Sequence, residues 1–125
     1  NPRHLIVSLN VARSDIAPYV SSWKQRVERI GTLNFPRELR IDGLTGNPLI
    51  AVTILADGSL DQIELLRSSG HIPLDQAAMT VATRASPFAA FPPEVQENYD
   101  FLTIRMNFEF RGGQLRGRVS VVDDG

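Results

Sequence analysis

The chain has 125 residues, 42% of them hydrophobic, which is enough for one respectable core and too little for two ordinary domains. Fourteen acidic residues nearly balance thirteen basic ones, leaving a net charge of -1, so charge alone gives no attraction to nucleic acid or anionic lipid. Cysteine is absent, which excludes disulfides and thiolate metal sites, and no stretch reaches the roughly 20 apolar residues that span a bilayer. The cysteine-free composition fits the periplasm and the cytosol equally. The opening Asn1-Pro2-Arg3-His4 is neither an initiator nor a signal peptide, so the chain reads as a piece of a longer protein.

From His4 to Ala12, Leu5, Val7, Leu9 and Val11 alternate with Ile6, Ser8 and Asn10, a pattern that admits a strand. Ile16, Val20, Trp23, Val27 and Ile30 then recur at helical spacing, with Asp15 as the expected N-cap, Pro18 in the first turn and Gly31 as the stop. Lys24, Arg26, Glu28 and Arg29 fall largely off that stripe and read as a solvated face, while Trp23 reads as core. Thr32 to Pro48 contains Phe35-Pro36 and several glycines, an irregular connection with room for a short strand at Leu39 to Ile41.

The clearest hairpin follows. Leu49 to Leu55 is rich in β-formers, Asp57-Gly58 supplies a turn that tolerates positive φ, and Leu60 to Arg67 runs back to Ser68-Ser69-Gly70. Leu74, Ala77, Ala78, Val81 and Ala85 define a second helical face whose small residues permit close approach to a sheet, and this helix must end before Pro87. Pro87 to Pro93 is a proline-punctuated loop whose Phe88 and Phe91 should pack over the end of the core. Leu102, Ile104, Met106, Phe108 and Phe110 alternate strictly with Thr103, Arg105, Asn107 and Glu109, the pattern of a strand buried on one face. After Gly112-Gly113, Leu115 to Val122 can return as a further strand. The expected class is α+β, an antiparallel sheet of about three to four strands with two helices packed on one face.

Catalytic chemistry finds little support. His4 and His71 stand far apart with no carboxylate at metal-ligand spacing, so no metal site and no cofactor are expected. Ser68-Ser69-Gly70-His71 lacks a Gly-x-Ser-x-Gly elbow and reads as hydroxyls capping a turn. Asp57, Asp61 and Glu64 surround a hairpin tip, which offers no cleft to split their pKa values, and Gly112-Gly113 lacks the rest of a phosphate loop. No catalytic residue is assigned. A small hydrolase is the competing reading from another class, with no positive feature in its favour.

The segment Leu49 to Pro93 carries, in order, an apolar strand, Asp57-Gly58, a returning strand, Ser68-Ser69-Gly70, Leu74-Asp75-x-Ala77-Ala78 and Pro87-Phe88-x-x-Phe91-Pro92. That order and spacing resemble the TonB C-terminal family. Phe35-Pro36 looks like the family's aromatic-proline pair before the first strand, and Phe101 to Phe110 like its last strand. The resemblance divides the chain into residues 1–34, an N-terminal extension and first helix; 35–111, the family-like core; and 112–125, a C-terminal extension, all in one domain. Two departures bear on partner specificity: Asn107 and Phe108 follow Arg105-Met106 where members often carry Trp or Tyr, and the leading pair is Phe-Pro where Tyr-Pro is common.

The resemblance implies a periplasmic domain of an inner-membrane-anchored protein, whose anchor and Pro-rich spacer lie outside this fragment. Such domains capture the TonB box of TonB-dependent outer-membrane transporters and pass on force from a proton-driven ExbB–ExbD-like motor, engaged through the missing N-terminal region. If Leu102 to Phe110 lies at the sheet edge, its outward main-chain groups can bond a passing strand. The expected partner-binding residues are Leu102, Thr103, Ile104, Arg105, Met106, Asn107, Phe108 and Glu109, with Leu33, Asn34, Phe35 and Pro36 nearby. The alternative arrangement makes this strand internal, covered by Leu115 to Val122. A specialised TonB- or TolA-like paralogue serving another envelope assembly is the alternative function, and edge strands also admit a dimer of the fragment.

Overall fold

The computed structural model describes residues 4–5, 15–34, 37, 43–111 and 113–121. Its elements in chain order are β1 (His4–Leu5), α1 (Ala17–Leu33), β2 (Leu49–Leu55), β3 (Leu60–Arg67), α2 (Ile72–Ala85), α3 (Pro93–Gln96), β4 (Phe101–Arg111) and β5 (Gln114–Val121). The remainder of the expected first strand, residues 6–12, the expected strand at Leu39 to Ile41, and Phe35-Pro36 lie outside the described residues.

The hairpin forms as the turn chemistry dictates. Asp57 Oδ1 accepts the Ser59 N–H at 2.9 Å, and Gly58, at φ +90°, takes the left-handed position that a side chain would resist. Gly58 is also a point of close approach: a Cβ there would run into the Phe88 carbonyl, and the Phe88 N–H donates to the Gly58 carbonyl at 2.8 Å. The hairpin tip thereby anchors the aromatic loop. Phe91 N–H donates to Ala56 at 2.9 Å, while Tyr19 reaches from α1 to bond the Ala89 carbonyl at 2.8 Å and stacks edge-on to Phe91 at 5.1 Å.

The antiparallel sheet has the order β3-β2-β4-β5, with the two-residue β1 adding a parallel pair at Phe101 and Leu102. The even-numbered residues of β4 from Leu102 to Phe110 are buried, as are Ile50, Val52 and Ile54 of β2. Both helices cover that face: α1 supplies Tyr19, Val20, Trp23 and Val27, with Ile16 at its N-cap, and α2 supplies Leu74, Ala77, Ala78, Val81 and Ala85. Trp23, 3% exposed, packs 5.8 Å from Phe88. The expected α+β class and the arrangement of two helices on one face of an antiparallel sheet are thus present.

Two local expectations are corrected, and of the two placements left open for Leu102 to Phe110 the internal one is found. The N-cap of α1 is Ile16, without a side-chain cap bond, and Asp15 lies one residue earlier in a turn. Gly31 does not stop the helix, which continues to Leu33. Its role is packing, because a Cβ there would overlap Leu115 of β5. Finally, β4 is not an edge strand: β2 pairs with it from Phe101 to Asn107 on one side, and β5 pairs from Ile104 to Arg111 on the other. Gly113, at φ +77°, lies in the turn before β5, and the returning strand buries Leu115 and Val121 completely.

Candidate functional site

The main-chain groups of β4 are committed in both directions. Phe108 N–H donates to Pro48 at 2.9 Å, so the alternating ladder directs even-numbered β4 residues toward β2 and odd-numbered ones toward β5. Leu102, Ile104, Met106 and Phe108 have buried side chains, and those of Thr103, Arg105, Asn107 and Glu109 stand on the opposite face of the sheet. The Thr103 hydroxyl lies 3.0 Å from that of Thr53. Leu33, 75% exposed, and Asn34 end α1, where Asn34 Oδ1 accepts from Arg84 at 3.2 Å.

Two edges therefore bound the sheet, and they differ. Along β3 the pairing with β2 shifts register twice, skipping Asp61 and Leu66, so the strand carries a bulge near each end. Bulges together with Asp61, Glu64 and Arg67 blunt an edge against further strands. Along β5 all eight residues pair with β4 without a shift. This edge is regular.

The outward donors of β5 meet α1. Leu115 N–H donates to Thr32 Oγ1 at 3.1 Å, and Gly117 N–H donates to Glu28 Oε2 at 2.9 Å. Lys24 Nζ lies 3.8 Å from the same carboxylate oxygen. The alternation places the Val119 and Val121 N–H groups on the same outward side, and among the described residues no α1 side chain meets them. Beside them a groove of about 320 Å³ opens between Ala17, Val20, Ser21 and Lys24 of α1 and Val119 of β5.

The opposite face of the sheet carries charge. Register places Arg116 opposite Glu109 and Arg118 opposite Asn107, and these side chains line a shallow cleft of about 250 Å³ with Asn47. Glu109 is engaged by Arg111 at 2.8 Å.

The Ser68-Ser69-Gly70-His71 turn is knitted to Asp75. Its carboxylate accepts the Ser68 hydroxyl at 2.5 Å and the Ser69 N–H at 2.7 Å, while Ser69 Oγ donates to the His71 carbonyl at 3.0 Å. Burial pulls the Asp75 carboxyl upward, but these hydrogen bonds and the neighbouring His71 outweigh it and hold the group below the usual carboxylate range. Neither serine is aimed at the imidazole. Among the described residues no three His, Asp or Glu side chains gather as metal ligands would.

Sequence reasoning placed Glu28 on a solvated face and did not single out Thr32. No local signal pointed toward them; Gly117, an isolated glycine within a strand pattern, marks a different close approach. Its missing Cβ makes room for Met106 beneath.

The fold is that of two solution structures of the Helicobacter pylori TonB C-terminal domain, a longer and a shorter fragment. The longer gives a TM-score of 0.51 at 23% identity, covering 80% of this chain and 95% of that one. The shorter gives 0.50 at 24% identity, covering 71% and 90%. Curated protein sequences give no match. Residues 32–111, from the last turn of α1 through β4, match the sequence profile described as the Gram-negative bacterial TonB protein C-terminal domain, and the chain belongs to that family.

Proposed function

We propose that this domain is the periplasmic, partner-binding end of a TonB-type energy transducer. It captures the TonB box of an outer-membrane transporter by strand addition and transmits force from a proton-driven ExbB–ExbD-like motor, engaged through a preceding anchor and spacer. Family membership supports the transducer role and an interaction with outer-membrane transporters in general. The observation that carries strand addition is the contrast between the sheet edges: β3 is bulged and charged, whereas β5 is straight, regularly paired and flanked by a groove.

On this reading a captured peptide extends the sheet beyond β5, hydrogen-bonding through Val119 and Val121. Main-chain bonds supply affinity with little demand on sequence, and the α1 groove and Arg118 read the side chains on either face. The β4 residues from Leu102 to Glu109 are a second landing place, reached only if β5 leaves. That exchange would expose Leu115 and Val121, both fully buried, so addition to β5 is the lower-cost route.

Titration of a labelled TonB-box peptide against the full domain, a Val119→Pro variant and a domain truncated after Arg111 separates these routes. Truncation bares the β4 edge and can itself admit the peptide, so the deciding variant is Val119→Pro, which removes an outward donor and keeps the β4–β5 ladder; addition to β5 requires it to weaken binding, with circular dichroism verifying the fold. Unchanged binding by Val119→Pro together with tighter binding after truncation would move the site to β4. Binding by none of these forms to any transporter peptide would refute the transporter reading and favour a paralogue serving another envelope assembly.

A further inference from the structure

Helix α1 up to Gly31 and all of β5 lie outside the matched family segment, yet the second half of the helix meets the first half of the strand. The helix runs antiparallel to the strand: Gly31 and Thr32 sit at Leu115, Glu28 at Gly117, and Ala17 with Val20 beside Val119. The spacings are commensurate. Glu28 and Thr32 are four residues apart, about 6 Å along a helix, while the N–H groups of Leu115 and Gly117 are two residues apart, about 6.8 Å along a strand. Two acceptors on one helix face therefore meet two successive outward donors of the edge, as the carbonyls of a neighbouring strand would.

We propose that α1 is a strand surrogate: Glu28 and Thr32 seal the first half of the β5 edge, so that an extended peptide enters at Val121 and Val119 and lengthens its ladder only by displacing these two side chains. This rests on the strand-addition reading for the identity of the entering chain, but the sealing itself does not. Glu28 is suited to leaving, because Lys24 lies beside its carboxylate and can retain it as an exposed ion pair. Thr32 returns its hydroxyl to water at the helix end. Gly31, packed on Leu115, keeps the helix seated while its side-chain acceptors let go.

The test is amide hydrogen exchange on the whole domain. In E28A the Gly117 amide, and in T32V the Leu115 amide, should exchange at least about tenfold faster, because each loses its acceptor. The amides of Arg116 and Arg118, bonded to β4, should not change, and E28Q, which keeps an acceptor oxygen, should restore protection at Gly117. Unchanged exchange at Leu115 and Gly117, or equal acceleration throughout β5, would overturn the sealing. Transporter-peptide affinity is then compared between wild type and the E28A/T32V double variant, where opening the edge should tighten binding several-fold. Equal affinity would overturn the displacement step. Altered exchange with no peptide binding to either form would leave the sealing standing and remove the transporter reading instead.

Discussion

Replacing Gly31 by alanine tests the packing of α1 on β5, because two effects oppose each other there. In a solvent-facing helix interior the change stabilises by about 0.5–1 kcal/mol, since alanine loses less backbone freedom on folding. At this site the added Cβ would overlap Leu115 Cδ2 and lie 3.0 Å from its Cβ and 3.2 Å from its Cγ. Rotation about χ1 or χ2 moves Cδ2, and about χ1 also Cγ, but no rotamer relieves the contact with Leu115 Cβ, and Leu115 is fully buried opposite Phe110. Overpacking of this kind costs roughly 1–3 kcal/mol, so the net expectation is a loss of about 1 kcal/mol. Urea unfolding followed by the fluorescence of Trp23 reads it directly. Leu115→Ala alone should cost about 2–5 kcal/mol, but in the Gly31→Ala background it should cost at least about 1 kcal/mol less, because the added methyl fills part of the vacated space. A stabilised Gly31→Ala variant, or strict additivity of the two changes, would show that helix and strand do not press on each other as described.

Two further changes probe the core and its polar corner. Trp23→Ala should destabilise by roughly 3–5 kcal/mol by chemical denaturation, because a nearly fully buried indole packed on Phe88 leaves a large cavity. Asp75→Ala removes the acceptor of Ser68 and Ser69 and should cost about 1–3 kcal/mol near neutral pH. Since the folded carboxyl titrates below its ordinary value, that contribution is fully present above about pH 4 and is lost as pH falls through the folded pKa. Urea midpoints of wild type and Asp75→Ala should therefore converge in acid; a constant gap would refute the assignment.

Much of the fold was legible because its signals are local. Leu49–Leu55 and Leu60–Arg67 form the expected hairpin, since the Asp57-Gly58 turn and the flanking β-formers act within a dozen residues. The second helix was readable from one small-residue stripe and a proline that limits its end. In contrast, the lateral position of β4 was not readable. Period-two alternation reports which face of a strand is buried and says nothing about who lies beside it, so the same Leu102 to Phe110 pattern suits an edge or an interior strand. The role of Gly31 was misread for a related reason: a glycine near a helix end has the same local appearance whether it terminates the helix or accommodates Leu115 from 84 residues away.

The same limit applies to the edges, where function is argued. An antiparallel sheet that must accept one extended partner and refuse others needs its two edges treated differently, and here the treatments are of different kinds. The β3 edge is spoiled in the strand itself, by extra residues at Asp61 and Leu66, and no movement elsewhere restores its register. The β5 edge is left regular and guarded from outside by side chains of α1, a cover that can withdraw without unpairing any strand. A bulge is a permanent refusal, whereas a side-chain acceptor is a competitor whose place another acceptor can take. On the strand-addition proposal, that distinction, more than exposure, is what makes β5 the edge at which a sixth strand would add.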